Sequence, residues 1–249
     1  MLKFFRKIRQ SLLSENKFSK YLIYAIGEIV LVVIGILIAI QLNSVQNDNE
    51  KRIEEITHLE NLLSDLKQDR AELDKIIERR ISKSNSSKIL QGIHNTQEVD
   101  NTSDYYSHLM NVVYWDAHNP SLLTFNELIN SGKLSSLSNE KIKFLLLQID
   151  YNYNELFEVR KHLYEDHWEY FYRPFADIID YESAIIAWSE PEKDIELSNE
   201  FVETALKSKR IKNGFTLSNF NNNLLREKLS EILTKVDSTI VLIEEEIDK

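Results

Sequence analysis

The stretch that decides the fold is residues 21–40, YLIYAIGEIVLVVIGILIAI, in which Glu28 is the one charged residue. A helix of this length extends about 30 Å, which is the thickness of the hydrocarbon core of a bilayer. A buried helix of a globular protein is an alternative, but the apolar run 29–40 leaves no polar face. A cleaved signal peptide would have a shorter apolar region and small residues after it, whereas this stretch ends in Gln41-Leu42-Asn43. The sequence therefore predicts a retained transmembrane helix over residues 21–42.

The charges on the two sides of this helix predict its orientation. Six Lys and Arg residues precede it, against one Glu, whereas the far side offers Lys51 and Arg52 among four acidic residues. Because cytoplasmic flanks are rich in Lys and Arg, we expect a cytoplasmic N-terminus and an extracytoplasmic body. The net charge of the whole chain is −10. A body this acidic would repel nucleic acid, so we expect no nucleic-acid partner.

Residues 1–20 form a basic segment that we expect to lie on the cytoplasmic surface of the membrane. Its apolar residues would share one face of a short helix, and its cationic residues would cover the rest. A basic tail that serves only membrane topology is the alternative. The predicted contacts with lipid headgroups are Lys3, Arg6, Lys7, Arg9, Lys17 and Lys20.

Glu28 is the residue in the membrane helix that most needs a partner. An ionised carboxylate inside hydrocarbon costs about 2.5 kcal/mol or more. Gly27, Gly35 and Ala39 form a neighbouring stripe of small residues, and such stripes let two helices approach closely. We therefore predict a helix-packing contact at Gly27, Glu28, Gly35 and Ala39. Four roles of Glu28 are open. It would be protonated and hydrogen-bonded within an oligomer, would pair with a basic residue of another membrane protein, would carry protons, or would extend toward the nearby membrane–water interface.

The rest of the chain predicts an all-α fold. It has only 5 Gly and 3 Pro in 249 residues, so turns are few. With no cysteine, disulfides, thiolate metal sites and a Cys nucleophile are excluded. Apolar spacings of three, four and seven predict a long membrane-proximal helix over residues 43–83, packed against a helical bundle over residues 84–249. A Ser- and Asn-rich linker is expected over residues 82–103, and further helices near 104–117, 122–130, 139–172, 175–187, 197–212 and 217–247.

Few residues of the body suggest chemistry. His162 and Asp166 would share one helix face and could hold a metal ion, but the zinc-protease motifs are absent, and solvated helix side chains are the simpler interpretation. The aromatic residues Phe157, Tyr164, Trp168, Phe171 and Phe175 fall on one face and predict a core stripe. A ligand pocket lined by Tyr151, Tyr153, Tyr170 and Tyr172 is the alternative. We expect no enzymatic activity and no cofactor.

The first 45 residues also carry a family resemblance. Residues 4–43, FFRKIRQSLLSENKFSKYLIYAIGEIVLVVIGILIAIQLN, resemble the opening of a large bacterial family of uncharacterised single-pass membrane proteins, a domain of unknown function. A weaker similarity follows at residues 124–128 and 132–134. The resemblance implies a bacterial inner-membrane anchor with a periplasmic C-terminal domain, and it implies no activity.

Together these features predict an all-α protein in which one N-terminal transmembrane helix continues into an extracytoplasmic helical bundle. The leading hypothesis is a non-catalytic scaffold or accessory subunit of a cell-envelope complex. Its partners would be membrane lipids and either further copies of itself or other subunits of a membrane complex. A sensor that binds a small ligand within the bundle is a second hypothesis. An ion-coupled, stator-like subunit that uses Glu28 is a third.

Overall fold

The computed structural model describes residues 18–116, 118–120, 122–190 and 198–249, which form seven α-helices and, within those ranges, no β-strand. The all-α expectation is confirmed. The chain divides into two compact units, Met1–Thr57 and His58–Lys249.

Helix α1, Phe18–Thr96, has 79 residues and belongs to both units. The absence of proline across this range allows it to continue without a break. In the first unit its residues 29–40 are apolar and exposed on all sides of the helix, and the mostly polar stretch 43–57 follows them. In the second unit α1 changes character, because Leu59, Leu62, Leu66 and Leu73 are fully buried. Amphipathic spacing thus begins near Leu59, after the exposed, mostly polar stretch that follows the apolar run.

The predicted end of this helix near residue 83 was wrong, and of the linker expected over residues 82–103 only residues 97–101 lie between helices. Helix α1 continues through the Ser- and Asn-rich stretch to Thr96. The serine hydroxyls find partners that compensate for their low helix propensity: Ser87 donates to Lys83 O (2.8 Å), and Ser84 donates to Asn219 Oδ1 (2.7 Å). The serines therefore form a polar helix contact and not a loop.

The remaining helices all lie in the second unit. They are α2 (Thr102–Val113), α3 (Leu123–Asn130), α4 (Glu140–His167), α5 (Tyr181–Ser189), α6 (Asn199–Lys207) and α7 (Lys209–Ile247). A 3₁₀ turn, Lys133–Ser136, follows α3. A π-helical segment, Trp168–Tyr172, and a helical turn, Arg173–Phe175, follow α4. The long helices predicted near 139–172 and 217–247 are confirmed in type, and α7 begins earlier than expected.

The N-terminal caps explain several helix starts. Asn101 and Asn139 accept backbone hydrogen bonds at the starts of α2 and α4. The start of α3 has no cap from its own N-cap residue. Instead, Asp65 of α1 accepts a hydrogen bond from Thr124 N at 2.8 Å, so a carboxylate of another helix caps α3.

Two clusters of buried apolar side chains form the core of the second unit. The larger joins α1, α3, α4 and α7, and the smaller joins the end of α1 to α2, α5, α6 and the start of α7. Helices α1 and α7 run antiparallel, since Lys67 pairs with Glu244 and Arg70 with Asp237, both at 2.6 Å, while Gln91 reaches Thr216. This pairing brings the Ser-rich stretch near the end of α1 against α7, where Ser84 contacts Asn219 and Ser87 contacts Ser218.

Gly214 lies inside α7, although a helix end was expected there. A Cβ atom at this position would lie 2.9 Å from Tyr170 Cβ and 3.0 Å from the ring of Phe171. The glycine is therefore required by close packing of α7 against the π-helical segment and not by a turn.

The predicted aromatic core stripe is correct only at its end. Phe171 and Phe175 are buried, but Phe157, Tyr164 and Trp168 are exposed by 57%, 41% and 47%. Leu156, Leu163 and His167 occupy the buried face of α4. Each exposed aromatic residue follows one of these by a single position and is thus turned about 100° away.

Candidate functional site

The predicted membrane-contact residues lie on the described part of the first unit. Gly27 and Gly35 have open space where a side chain would stand, Ala39 is exposed, and Glu28 is half-buried. Helix α1 is long and apolar enough to cross a membrane, and a signal sequence would meet the same criterion. Of the predicted headgroup contacts, Lys3, Arg6, Lys7, Arg9 and Lys17 lie outside the described residues, as does the side chain of Lys20.

The two residues considered for a metal ion turn to different neighbours. His162 is exposed, and its Nδ1 lies 3.9 Å from Glu165 Oε2. Asp166 accepts a hydrogen bond from Asn221 of α7 at 3.3 Å. Across the described ranges of the chain, the structure brings together no group of three residues able to hold a metal ion.

What the structure does bring together is a set of buried charged and polar residues around the segment between α2 and α3. The first group, the Asp69 cluster, consists of Asp69, His118 and Tyr153. The Tyr153 hydroxyl donates to Asp69 Oδ2 at 2.5 Å, and His118 Nε2 lies 3.0 Å from Asp69 Oδ1. The side chain of Asp69 has no exposed surface, and that of His118 is 4% exposed. Burial raises the pKa of Tyr153, so its hydroxyl keeps the proton that Asp69 requires.

The second group, the Arg80 cluster, consists of Arg80, Lys83 and Asp116. Arg80 donates to both the side chain (2.6 Å) and the backbone carbonyl (2.8 Å) of Asp116. Lys83 donates to the carbonyl oxygens of Asn111 and Tyr114, and its Nζ lies 3.6 Å from Asp116 Oδ1. Burial lowers the pKa of Lys83 to about 8. Two buried cations therefore share one buried carboxylate, which Arg79 approaches from the surface at 2.9 Å.

A small cavity of about 30 Å³ adjoins the Arg80 cluster and is lined by His167 and Asn222, among others. Its volume suits one or two water molecules. His167 Nε2 donates to Val113 O at 2.7 Å, and burial lowers the pKa of this histidine to about 4. The histidine is therefore neutral at physiological pH, and the cavity lies beside the cationic side chains of Arg80 and Lys83.

A larger cleft of about 320 Å³ adjoins the Asp69 cluster. One wall is the α4 face that carries Asp150, Asn154 and Arg160, and the other is formed by residues 118–120 and by α3. A volume of this size falls within the range of small-molecule sites. The alternative of a pocket lined by four tyrosines does not describe it, because Tyr153 lines this cleft, Tyr170 lines the small cavity, and Tyr151 and Tyr172 line neither.

Sequence reasoning missed both buried clusters. Their members are distant in the chain, since 49 residues separate Asp69 from His118 and 36 separate Arg80 from Asp116. One local signal was available: Asp116 and His118 stand in the segment YWDAHNP, residues 114–120, which combines charged residues, aromatic residues and a proline. A charged segment between apolar helices is unusual enough to suggest buried polar contacts.

The chain was compared with known proteins. Neither the curated proteins nor the solved structures give a match. Residues 28–169 match the model of a family of unknown function, DUF6090, and this range contains Glu28, all the residues of both buried clusters, and the residues that line the cleft. The match covers more than half of the chain, and the protein is therefore a member of the DUF6090 family.

Proposed function

We propose that this protein is a non-catalytic, membrane-anchored scaffold or accessory subunit of a bacterial cell-envelope complex. The helix would cross the inner membrane with its N-terminus in the cytoplasm, and the second unit would be periplasmic. The observation that carries the proposal is the apolar run 29–40 of α1, in which every residue is exposed in the described structure of the first unit. So much contiguous apolar surface requires lipid or another protein around it.

The specific contact would be made by Gly35, Ala39 and Glu28. The open space at Gly35 would allow a second helix to approach closely, since small residues four apart let backbones meet. A carboxylate at position 28 is costly in hydrocarbon unless it faces protein or water, which favours a protein neighbour on the same side. The buried charged residues of the second unit pair with one another, and this arrangement suits a structural body.

The main experiment is the native mass of the full-length protein, purified in mild detergent from its own membranes at its native expression level. We expect either several copies or a larger membrane protein to accompany the chain. Gly35→Leu should release that partner, because the new side chain blocks the close approach. Val33→Leu is the matched control, since position 33 lies about 200° around the helix from position 35. A single copy without a partner, both in detergent and after cross-linking in intact membranes, would contradict the proposal.

Glu28→Gln separates the scaffold from the stator-like alternative. Glutamine keeps the hydrogen-bonding capacity of a protonated carboxyl group but cannot release a proton. A scaffold should therefore keep its partner, or lose part of it, whereas a proton-carrying subunit should lose all function. Full activity of the parent complex with Gln at this position would exclude the stator-like role.

The orientation has a direct test because the chain has no cysteine. Single cysteines would be introduced by Ser14→Cys before the membrane helix and by Asn85→Cys at an exposed position of the second unit. A membrane-impermeant maleimide added to intact spheroplasts should label Cys at position 85 and not at position 14. The reverse labelling would overturn the topology.

A further inference from the structure

The cleft beside the Asp69 cluster contains a cation that no carboxylate neutralises within the described residues. Arg160 of α4 lines this cleft and is half-buried. Its Nη1 donates to the carbonyl oxygen of His118 at 2.7 Å, and its guanidinium lies 5.4 Å from the centre of the Phe157 ring. These two contacts hold the guanidinium in place and leave part of its hydrogen-bonding edge unused. A planar guanidinium fixed in this way is suited to a carboxylate.

Asp150 lines the same cleft toward its other end. It lies ten residues before Arg160 on α4, which corresponds to about 15 Å along the helix axis. Its Oδ2 atom accepts a hydrogen bond from Asn154 at 3.2 Å, and within the described chain no cation pairs with it. A half-buried carboxylate without a counter-ion is suited to an ammonium group. The cleft therefore carries opposite charges at its two ends.

Three amide side chains line the same cleft. Asn119 and Asn126 line the wall opposite α4, and Asn154 lies on α4 itself. The side-chain amides of Asn119 and Asn126 make no hydrogen bond to the described residues. Each primary amide offers both donors and an acceptor, which is what a peptide group needs from its surroundings. Leu122 and Leu156 supply apolar surface to the same cleft.

We propose that this cleft binds a short peptide of two or three residues with both ends free. The peptide carboxylate would pair with Arg160, its ammonium group with Asp150, and its backbone with the asparagine amides. An extended chain spans about 3.3–3.6 Å per residue, so three residues cover roughly 10 Å. The Arg and Asp side chains close the remaining distance. A single small carboxylate would leave Asp150 without a partner, and a longer chain would not fit between the two charges.

The test uses full-length wild-type protein in detergent and the probe peptide trialanine, with binding measured by calorimetry. Three further probes are N-acetyl-trialanine, trialanine amide and free alanine. We expect trialanine to bind, and we expect each blocked end to weaken binding at least about tenfold, as the loss of a charge pair requires. These comparisons need no mutation and are independent of protein folding.

Two variants identify the site. Arg160→Gln should weaken the binding of trialanine but leave that of trialanine amide unchanged, because the amide has no carboxylate. Asp150→Asn should weaken the binding of trialanine but leave that of N-acetyl-trialanine unchanged, because the acetylated end has no ammonium group. The matched controls are Lys161→Gln and Glu158→Gln, which alter exposed charges on α4 that do not line the cleft. No binding of trialanine at about 10 mM would overturn the proposal, as would binding of N-acetyl-trialanine and trialanine amide as strong as that of trialanine itself. Either result leaves the membrane-assembly proposal intact, because that proposal rests on residues of the first unit.

Discussion

The two buried clusters of the second unit stabilise buried charges by different contacts. In the Asp69 cluster, one carboxylate is satisfied by the Tyr153 hydroxyl and by His118 Nε2, which is a compact arrangement of hydrogen bonds. In the Arg80 cluster, two cations exceed the single carboxylate of Asp116, and backbone carbonyls supply the remaining acceptors. A buried carboxylate can thus be stabilised by neutral donors, whereas an excess of buried cations depends on the exact path of the backbone.

Both clusters depend on the segment between α2 and α3. This segment supplies the side chain and carbonyl of Asp116 to Arg80, and it supplies His118 to Asp69. The carbonyl of His118 also accepts from Arg160 at the cleft. Loss of the Arg80 cluster should therefore disturb the Asp69 cluster and the cleft. Loss of the Asp69 cluster should leave the Asp116 contacts largely in place. The following predictions test this asymmetry.

The largest effect is expected for Asp116→Asn. The variant leaves Arg80 and Lys83 buried without a counter-ion, and breaking a buried pair from one side typically costs about 3–5 kcal/mol. We expect that loss in the free energy of unfolding of the full-length protein, measured by urea titration in detergent. Asp237→Asn is the matched control, because it removes an ion pair with Arg70 in which both side chains are about half exposed, and it should not move the midpoint measurably. Equal effects of the two variants would contradict the importance of the buried cluster.

The next effect is a dependence of stability on pH. The pKa of Lys83 is about 8 in the folded protein, against 10.5 for a free lysine. Between these values the unfolded chain binds the proton and the folded chain does not, so the free energy of unfolding rises with pH across this window. The contribution of Lys83 is about 3 kcal/mol between pH 8 and pH 10.5. Lys83→Met should remove that part of the slope, as measured by urea titrations at several pH values. An unchanged slope would show that Lys83 is not buried as described.

A smaller effect is expected for Tyr153→Phe in the Asp69 cluster. The variant removes a hydrogen bond to a buried carboxylate, which is worth about 1.5–3 kcal/mol, but His118 still contacts Asp69. We expect a loss near 2 kcal/mol in urea titration. Tyr151→Phe, two residues earlier on α4, removes only an exposed hydrogen bond to Glu155 and should leave stability unchanged. A loss for Tyr153→Phe as large as that for Asp116→Asn would remove the asymmetry between the clusters.

The smallest effect tests the packing beside the Arg80 cluster. Gly214 lines the adjoining cavity, and a Cβ atom there would meet Tyr170 at 2.9 Å. Gly214→Ala should destabilise the protein by about 1 kcal/mol, because overpacking of 1–3 kcal/mol exceeds the gain in helix propensity. Gly92→Ala in α1 meets no atom within 4 Å and should stabilise by about 0.5–1 kcal/mol. Thermal melts of the two variants should therefore shift in opposite directions.

Sequence reasoning identified features that depend on local pattern. The apolar run 29–40 of α1, the helical class and the long helices α4 and α7 all follow from composition and spacing over neighbouring residues. The boundaries were less accurate where a local signal had a long-range cause. Serines near residue 84 looked like a linker because their partners lie on α7, and Gly214 looked like a helix end because its neighbours lie on the π-helical segment.

The candidate site could not be predicted in the same way. The carboxylate of Asp69 and the imidazole of His118 meet only after α1, α3 and α4 have packed together. Arg160 looks like an ordinary helix cation in the sequence, and only the fold shows that it donates to a carbonyl and lacks a carboxylate partner among the described residues. Such properties belong to contacts between distant parts of the chain, and helical spacing does not encode them.

The π-helical segment Trp168–Tyr172 has a consequence for insertions and deletions. Leu163, His167, Phe171 and Phe175 are all buried and follow one another at intervals of four. In a regular α-helix this interval drifts about 40° per step, and the wider π turn corrects the drift. The π turn thus accommodates one extra residue, and deletion of one residue within 168–172 would restore a regular helix with Phe175 about 20° from the direction of Leu163, since eleven residues make about three turns. Insertion of one residue in this segment should therefore be tolerated far less than deletion of one, because an insertion rotates Phe175 by about 100° and a deletion leaves it on the buried face.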